Sequence, residues 1–266
     1  MTDSINSVPD PSSAQSPSLT PRGGGAAAFE VKFLLDESLA DEVTRWANAR
    51  LTRDIHASDE QGGAYSTTSL YTDTPESDVY FRSPKYKRRK FRVRRYGHEP
   101  WVFLERKNKA GDRVSKRRDK VLVDELERLA PTLAVTDWPG HWFHQRLLRR
   151  RLQPTCLISY ERAAFYGSCA EGPLRLTMDR RVQGQLWDQW TVAPVTAGQP
   201  LLENQVILEL KFRDALPQPF KQLVADLQLQ PRPVSKYRRC REAFGVLPRP
   251  MSGPMSGPGD SLAERA

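Results

Sequence analysis

The sequence predicts an α+β fold in which an antiparallel β-barrel carries a few flanking α-helices, and three observations point there. Six segments alternate apolar and polar residues at the strand period of two: FEVKFLL, KFRVRRY, WVFLERK, LISYERAAF, LRLTMD and QVILELKF. Shorter stretches space their apolar residues as amphipathic helices do. The polar faces of the strands repeatedly carry Arg or Lys, with a lone Glu beside some of them. For any one strand, a face turned to water explains such residues well enough. The repetition instead suits a sheet that closes on itself and takes its charged face as a lining.

The elements follow in chain order. In FEVKFLL, Phe29, Val31, Phe33 and Leu35 share one face while Glu30 and Lys32 point the other way. After Asp36, residues Leu39, Val43, Trp46 and Ala47 recur at helical spacing. KFRVRRY projects Lys90, Arg92 and Arg94 together, opposite Phe91 and Val93. WVFLERK is less clean, because Glu105 and Lys107 share their face with Trp101 and Phe103. KNKAGD reads as a turn, and VSKRRDK as the start of the strand returning from it. Helical spacing returns at Trp142, Phe143, Arg146 and Leu147. In LRLTMD, Arg175, Thr177 and Asp179 oppose Leu174, Leu176 and Met178. In QVILELKF, Glu209 and Lys211 point away from Leu208, Leu210 and Phe212. A further helix spans Phe220, Leu223, Val224 and Leu227. In RPVSKYRRCREAF, Ser235 can cap a helix whose Tyr237, Cys240 and Phe244 face the core. Free backbone N–H groups at that helix start would make Ser235 and Lys236 a phosphate clamp.

At 266 residues the chain has room for one large β-rich domain or two small ones, and one domain is the simpler reading. Residues 1–28 are rich in Ser, Pro, Gly and Ala, with too few large apolar groups to offset the entropy of ordering, so a disordered tail is expected. The same is expected of 248–266, with its MSGP repeat, which leaves 29–247 as the working domain. The 41 Lys and Arg outnumber the 32 Asp and Glu, for a net charge of +9, so a polyanionic partner is the first suspicion: nucleic acid, phosphate or a membrane surface. The three cysteines, Cys156, Cys169 and Cys240, lack C-x-x-C spacing and read as free thiols of a reducing cytoplasm. The N-terminal stretch has no apolar core of a signal peptide, and no segment approaches the ~20 apolar residues of a membrane span. A soluble, cytoplasmic protein is expected.

A cationic lining would repel itself unless an anion filled it, so a bound polyphosphate is physically reasonable. The lone carboxylates then gain a role: Glu209, and after it Glu30, Glu105 or Asp179, could hold Mg²⁺ or Mn²⁺, hard cations that take one or two carboxylates plus phosphate oxygens. For the carboxylates other than Glu209, an ion pair with a neighbouring base fits better. The chain has no G-x-x-x-x-G-K-[ST] loop, nucleophile elbow or H-E-x-x-H helix, and His56, His98, His141 and His144 form no ligand set.

The run FRVRRYGHEPWVFLERKNKAGDRVSKRR resembles the R-x-R-x-Y-G, E-R-K and K-x-R motifs of the VTC domain, the polyphosphate polymerase module of the vacuolar transporter chaperone family. YERAAF, RLTMD, LELKF and the final SKY follow in that family's order. The family belongs to the triphosphate tunnel metalloenzyme (CYTH-like) superfamily. The resemblance implies that Arg92, Arg94, Lys107 and Lys116 bind substrate phosphates, joined by Tyr160, Arg162 and Arg175. It implies Glu209 as the metal-binding carboxylate and Lys211 as a further phosphate ligand, with Ser235 and Lys236 near the tunnel mouth. FEVK departs from the superfamily's E-x-E-x-K strand, having Ala28 at the first Glu position but keeping Glu30 and Lys32. Pro233, with Arg232 beside it, stands where the family often has a basic residue.

The expected activity is a metal-dependent phosphotransferase: a polyphosphate polymerase that passes the γ-phosphate of ATP to a growing chain. Arg92, Arg94, Lys211 and Glu209 form its catalytic set, and Mn²⁺ or Mg²⁺ its cofactor. Lys32 joins the substrate ligands, and Glu30 is a second candidate for the metal. ATP and inorganic polyphosphate are the expected partners, no nucleic acid is, and a membrane-protein partner would not be visible in the sequence. Two alternatives stand beside it: a triphosphatase with the same lining, and a non-catalytic polyanion- or RNA-binding module. The second is disfavoured because the charged faces carry few rings for base stacking.

Overall fold

The computed structural model describes residues 28–54, 63–110, 113–131 and 136–246. The two expected tails lie outside the described residues, except for Ala28, which opens the first strand. The turn of KNKAGD likewise lies outside them at its last two residues.

The elements run β1 (Ala28–Asp36), α1 (Glu37–Arg50), β2 (Thr52–Arg53), β3 (Tyr65–Asp73), α2 (Asp78–Phe81), β4 (Arg89–Tyr96), β5 (Trp101–Ala110), β6 (Arg113–Leu122), a 3-10 turn (Val123–Leu129), α3 (His141–Arg150), β7 (Gln153–Cys169), β8 (Gly172–Leu186), β9 (Gln199–Pro200), β10 (Gln205–Phe212), α4 (Gln218–Asp226) and α5 (Lys236–Ala243). Every alternating segment of the sequence lies in a strand. β3, YSTTSLYTD, is the long strand that neither apolar alternation nor a turn signal marked.

Strand pairing closes a ring. The order β7-β3-β4-β5-β6-β1-β10-β8 is completed by β8 pairing back to β7, with β2 and β9 as short additions, and every pairing is antiparallel. The weakest seam joins β1 to β6, where only Ala28–Val114 and Phe29–Arg113 are in register. A bulge on β8 opposite Tyr160 places Arg181 at φ 50° and bends the strand, as barrel closure requires.

The main apolar packing lies outside this ring. On one side α1 and α4 bury Val43, Ala47, Phe220 and Leu223 against Phe33, Leu176, Leu208 and Leu210 of β1, β8 and β10. On the other, Phe143 and Leu147 of α3 pack with Val93, Leu104 and Val121 of β4, β5 and β6. Local signals place the helices: the Asp36 carboxylate accepts from Leu39 N at 2.8 Å to start α1, and the Ser235 hydroxyl caps α5. The faces left for the lumen are the charged ones. Among the described residues no helix is long and apolar enough to cross a membrane, and the three cysteines are free.

Candidate functional site

Strand register decides which charges meet in the lumen. Lys32 lies opposite Glu209 and Glu30 opposite Lys211 across β1–β10. Arg92 lies opposite Glu105 across β4–β5, Glu105 opposite Arg118 across β5–β6, and Arg162 opposite Asp179 across β7–β8. Three carboxylate-centred clusters result.

In the first, Lys32 Nζ stands 3.2 Å from Glu30 and 3.0 Å from Glu209. Lys211 reaches Glu209 at 2.5 Å and Glu30 at 3.8 Å, and Lys107 reaches both oxygens of Glu30 at 3.0 Å. In the second, Glu105 accepts from Arg92 Nε at 2.7 Å, contacts Lys116, and lies 3.4 Å from Arg118 Nε. In the third, the Arg162 guanidinium forks onto Asp179 at 2.6 and 2.8 Å, and Lys236 donates to the same carboxylate. α5 thus reaches into the barrel: Tyr237 stacks on Tyr71 and donates to Asp73, and Lys90 donates to Ser235 Oγ at 3.1 Å.

Arg94 stands apart. It is 4 % exposed, and its Nε donates to the Ser69 hydroxyl at 3.1 Å, with no carboxylate ion-paired to it among the described residues. Its guanidinium lies 5.9 Å from the centre of the Tyr160 ring, which Arg162 and Lys236 approach to 5.2 and 4.3 Å. Beside it the Tyr160 hydroxyl and Thr67 Oγ1, and on the β8 wall Thr177 Oγ1 and Arg175 Nε, are buried with no hydrogen-bond partner among the described residues. Buried donors without acceptors cost stability, and a lumen lined with them suits a ligand rich in acceptor oxygens.

The electrostatics follow from this crowding. Burial alone would raise Glu209, but Lys211 and then Lys32 hold it well below the usual carboxylate range. Lys116 and Arg92 do the same for Glu105, and Arg162 and Lys236 for Asp179, each against burial. Glu30 is lowered as well, against burial and the nearby charge of Glu209. Burial, then Lys32 and Lys107, push Lys90 down to about 7. Burial would raise the Tyr96 phenol, yet Arg94 and Arg118 bring it down to about 7.

The structure brings Glu30, Lys32, Arg92, Arg94, Lys107, Lys116, Tyr160, Arg162, Glu209, Lys211 and Lys236 into this lumen, with Ser235 at its α5 end through Lys90. Arg175 projects from the Thr177–Asp179 face of β8, opposite Lys211, and stacks 4.9 Å from the centre of Tyr166. Lys90 and Thr177 were on the charged faces without being singled out. Tyr96 is the Tyr of the R-x-R-x-Y-G motif but carried no assigned role, Tyr71 and Arg118 had none either, and Thr67 lies with Tyr71 on the unmarked β3. The alternation of β6 from Lys116 is the signal that could have found Arg118.

Among the described residues, Glu30 and Glu209 are the carboxylate pair that could share a metal. They sit on the same two lysines, close enough that the charge of Glu209 disfavours that of Glu30. No set of three acidic, His or Cys ligands converges among the described residues. Two carboxylates with the remaining positions left to substrate oxygens and water is an arrangement that Mg²⁺ and Mn²⁺ accept.

Residues 27–244 match the VTC domain. The chain belongs to the VTC domain family. Its barrel, closed and basic inside, is this VTC domain's tunnel. Solved structures similar to this VTC domain include a Bacillus halodurans protein provisionally described as an adenylate cyclase, 12% identical, TM-score 0.49, covering 83% of this chain and 98% of that one. A Pyrococcus horikoshii protein is 12% identical, TM-score 0.44, with 81% and 96% covered. A Hippeastrum protein provisionally described as an adenylyl cyclase, with a dominant triphosphatase activity, is 13% identical, TM-score 0.40, with 83% and 98% covered. No match was found among curated proteins.

Proposed function

We propose that this VTC domain is an ATP-dependent polyphosphate polymerase: a terminal oxygen of the chain bonds to the γ-phosphorus of ATP, the β–γ bridging bond breaks, and ADP leaves with its electron pair. The observation that carries this reading is the set of lumen groups buried without hydrogen-bond partners, the Tyr160 hydroxyl and Thr67 Oγ1 beside Arg94 and Thr177 Oγ1 and Arg175 Nε on β8, together with Arg94, which has no carboxylate partner among the described residues. Arg92, Arg94 and Lys211 hold phosphates in line and stabilise charge on the transferring oxygens, which is most of what phosphoryl transfer asks of a protein. Tyr160, Arg162, Arg175, Lys107, Lys116 and Lys32 take the neighbouring phosphates, and Ser235 and Lys236 those nearest α5. Glu209, with Glu30, would hold Mn²⁺ or Mg²⁺, which would supply neutralising charge to the phosphate oxygens. As phosphates enter, Lys32 and Lys211 turn from the carboxylates to the substrate.

In the ligand-free lumen Glu30, Glu105, Asp179 and Glu209 are all held below the ordinary carboxylate range by the cations around them, so none is poised there as a general base for water. The end of a polyphosphate arrives already ionised and needs no base. Purified protein incubated with ATP and Mn²⁺ or Mg²⁺ is expected to yield long polyphosphate, resolved on a gel. Free phosphate without polymer would assign a triphosphatase, and binding without turnover a non-catalytic module.

A further inference from the structure

The outer side of the wall formed by β4, β5 and β6 carries a second basic surface. Arg106 and Arg117 are direct cross-strand partners. They point away from the lumen, because Glu105 and Lys107 beside the one, and Lys116 and Arg118 beside the other, point into it. Like charges set opposite each other weaken a strand pair. Trp142 of α3 joins them: Arg117 lies 4.1 Å and Arg106 6.0 Å from the centre of its indole ring. Arg146 and Arg150 follow Trp142 at successive turns along one face of α3. Arg150 packs 5.5 Å from the Tyr86 ring centre and donates to Lys85 O at 2.9 Å.

These arginines repel one another. Burial, and after it the charges of Arg89, Arg146, Arg117 and Arg150, lower Arg106 from its ordinary value. Among the described residues the acidic contact on this face is Asp119, 3.5 Å from Arg117 Nε, and its Oδ2 is buried without a hydrogen bond. Two donors here, Arg106 Nε and Trp142 Nε1, are buried with no acceptor. Self-repulsion and unanswered donors in one place fit an anion dense in acceptor oxygens. The indole is already engaged by the two guanidinium groups and, 5.5 Å away at 83°, by the ring of Phe143, so it is poorly placed to stack on a nucleobase.

We propose that this outer patch, Arg89, Arg106, Arg117, Arg146 and Arg150 around Trp142, is a second binding site for inorganic polyphosphate, holding a stretch of chain that extends beyond the tunnel. The proposal rests on the tunnel reading above for the identity of the chain. Strands β5 and β6 serve both sites, one on each face. A chain long enough to reach both gains affinity by making its second attachment intramolecular.

The test is equilibrium binding of end-labelled polyphosphate, short and long, by fluorescence anisotropy across a range of salt. It compares the full chain, the double variant Arg117→Gln/Arg146→Gln, and the tunnel variant Arg94→Ala. The double variant is expected to bind long chains ~10-fold more weakly, with a shallower salt dependence, as removal of phosphate contacts requires. Its short-chain binding and ATP turnover should be unchanged. Arg94→Ala should lose short-chain binding and turnover while keeping the outer share of long-chain binding. Unaltered long-chain affinity in the double variant overturns the outer site, whatever Arg94→Ala does. Unaltered turnover and short-chain binding in Arg94→Ala overturn the tunnel reading alone, and the outer site is still read from the double variant. Single-stranded RNA of matched charge that displaces long chains at equal or lower concentration would assign the patch to RNA and overturn polyphosphate as its ligand.

Discussion

The cluster around Asp179 and the one shared by Glu30 and Glu209 are built from the same kinds of groups and behave differently. Asp179 is fully buried, receives both prongs of Arg162, and is tied by Lys236 to α5, so three elements meet on one carboxylate. Among the described residues Glu30 and Glu209 are ion-paired with lysines alone, whose side chains are 24–30 % exposed and are in two cases shared between both acids. A guanidinium fork fixes geometry, whereas an ammonium on a flexible stem re-aims readily. The first cluster therefore fastens the barrel. The second can release its lysines to phosphate and its carboxylates to a cation without stranding a buried charge.

The largest expected effect tests the fastening. Asp179→Asn leaves Arg162 and Lys236 buried beside a neutral amide and should destabilise the fold by ~3–5 kcal/mol in chemical denaturation; a loss near zero would erase the contrast. Next, Arg94→Ala should cost ~100-fold or more in kcat, while denaturation midpoints stay level or rise because no carboxylate loses a partner. Glu209→Gln should also impair metal-dependent turnover yet stay within ~1 kcal/mol of wild-type stability, since Lys32 and Lys211 keep Glu30 at 3.2 and 3.8 Å.

A smaller effect is a proton count. Ligand-free Lys90 and Tyr96 both titrate at about 7. A bound polyanion favours the ammonium and disfavours the phenolate, so both values rise on binding. Binding at about pH 8 should therefore take up protons, and the uptake should fade below about pH 6. Calorimetry in two buffers of different ionisation enthalpy measures it, and Lys90→Gln should remove its share. For folding, the Lys90 value lies below its unfolded one. Its penalty is full below about 7 and is relieved as pH rises toward the ordinary lysine range. The smallest effect is Ser235→Ala, which removes the α5 cap and should lower stability by ~1 kcal/mol.

Much of this architecture was readable from alternation. FEVKFLL, KFRVRRY and QVILELKF have one apolar and one charged face, and those faces are the outside and inside of the ring. β3 was not readable because Thr67, Ser69 and Tyr71 face the lumen while Thr68, Leu70 and Thr72 face outward, so neither side is apolar enough to show a period. Closure itself was expected, but which strands meet at the β7–β8 and β1–β6 seams was not readable, since those pairings depend on register between distant segments. The difference between Asp179 and Glu209 lay beyond the sequence for the same reason. Both are acids on a strand's charged face, and only the arrival of Arg162 and Lys236 separates them. The outer arginines were hidden by the opposite problem: Arg106 and Arg117 sit among so many other bases that their face could not be told from the tunnel's.

Because the main apolar packing lies behind the strands, against α1, α3 and α4, the barrel is braced from its exterior much as a cask is held by hoops. Many of the side chains inside bear little of that load. Exchanging them alters what the hollow accepts while the frame survives, so this architecture is well suited to acquiring new phosphate chemistries through few replacements.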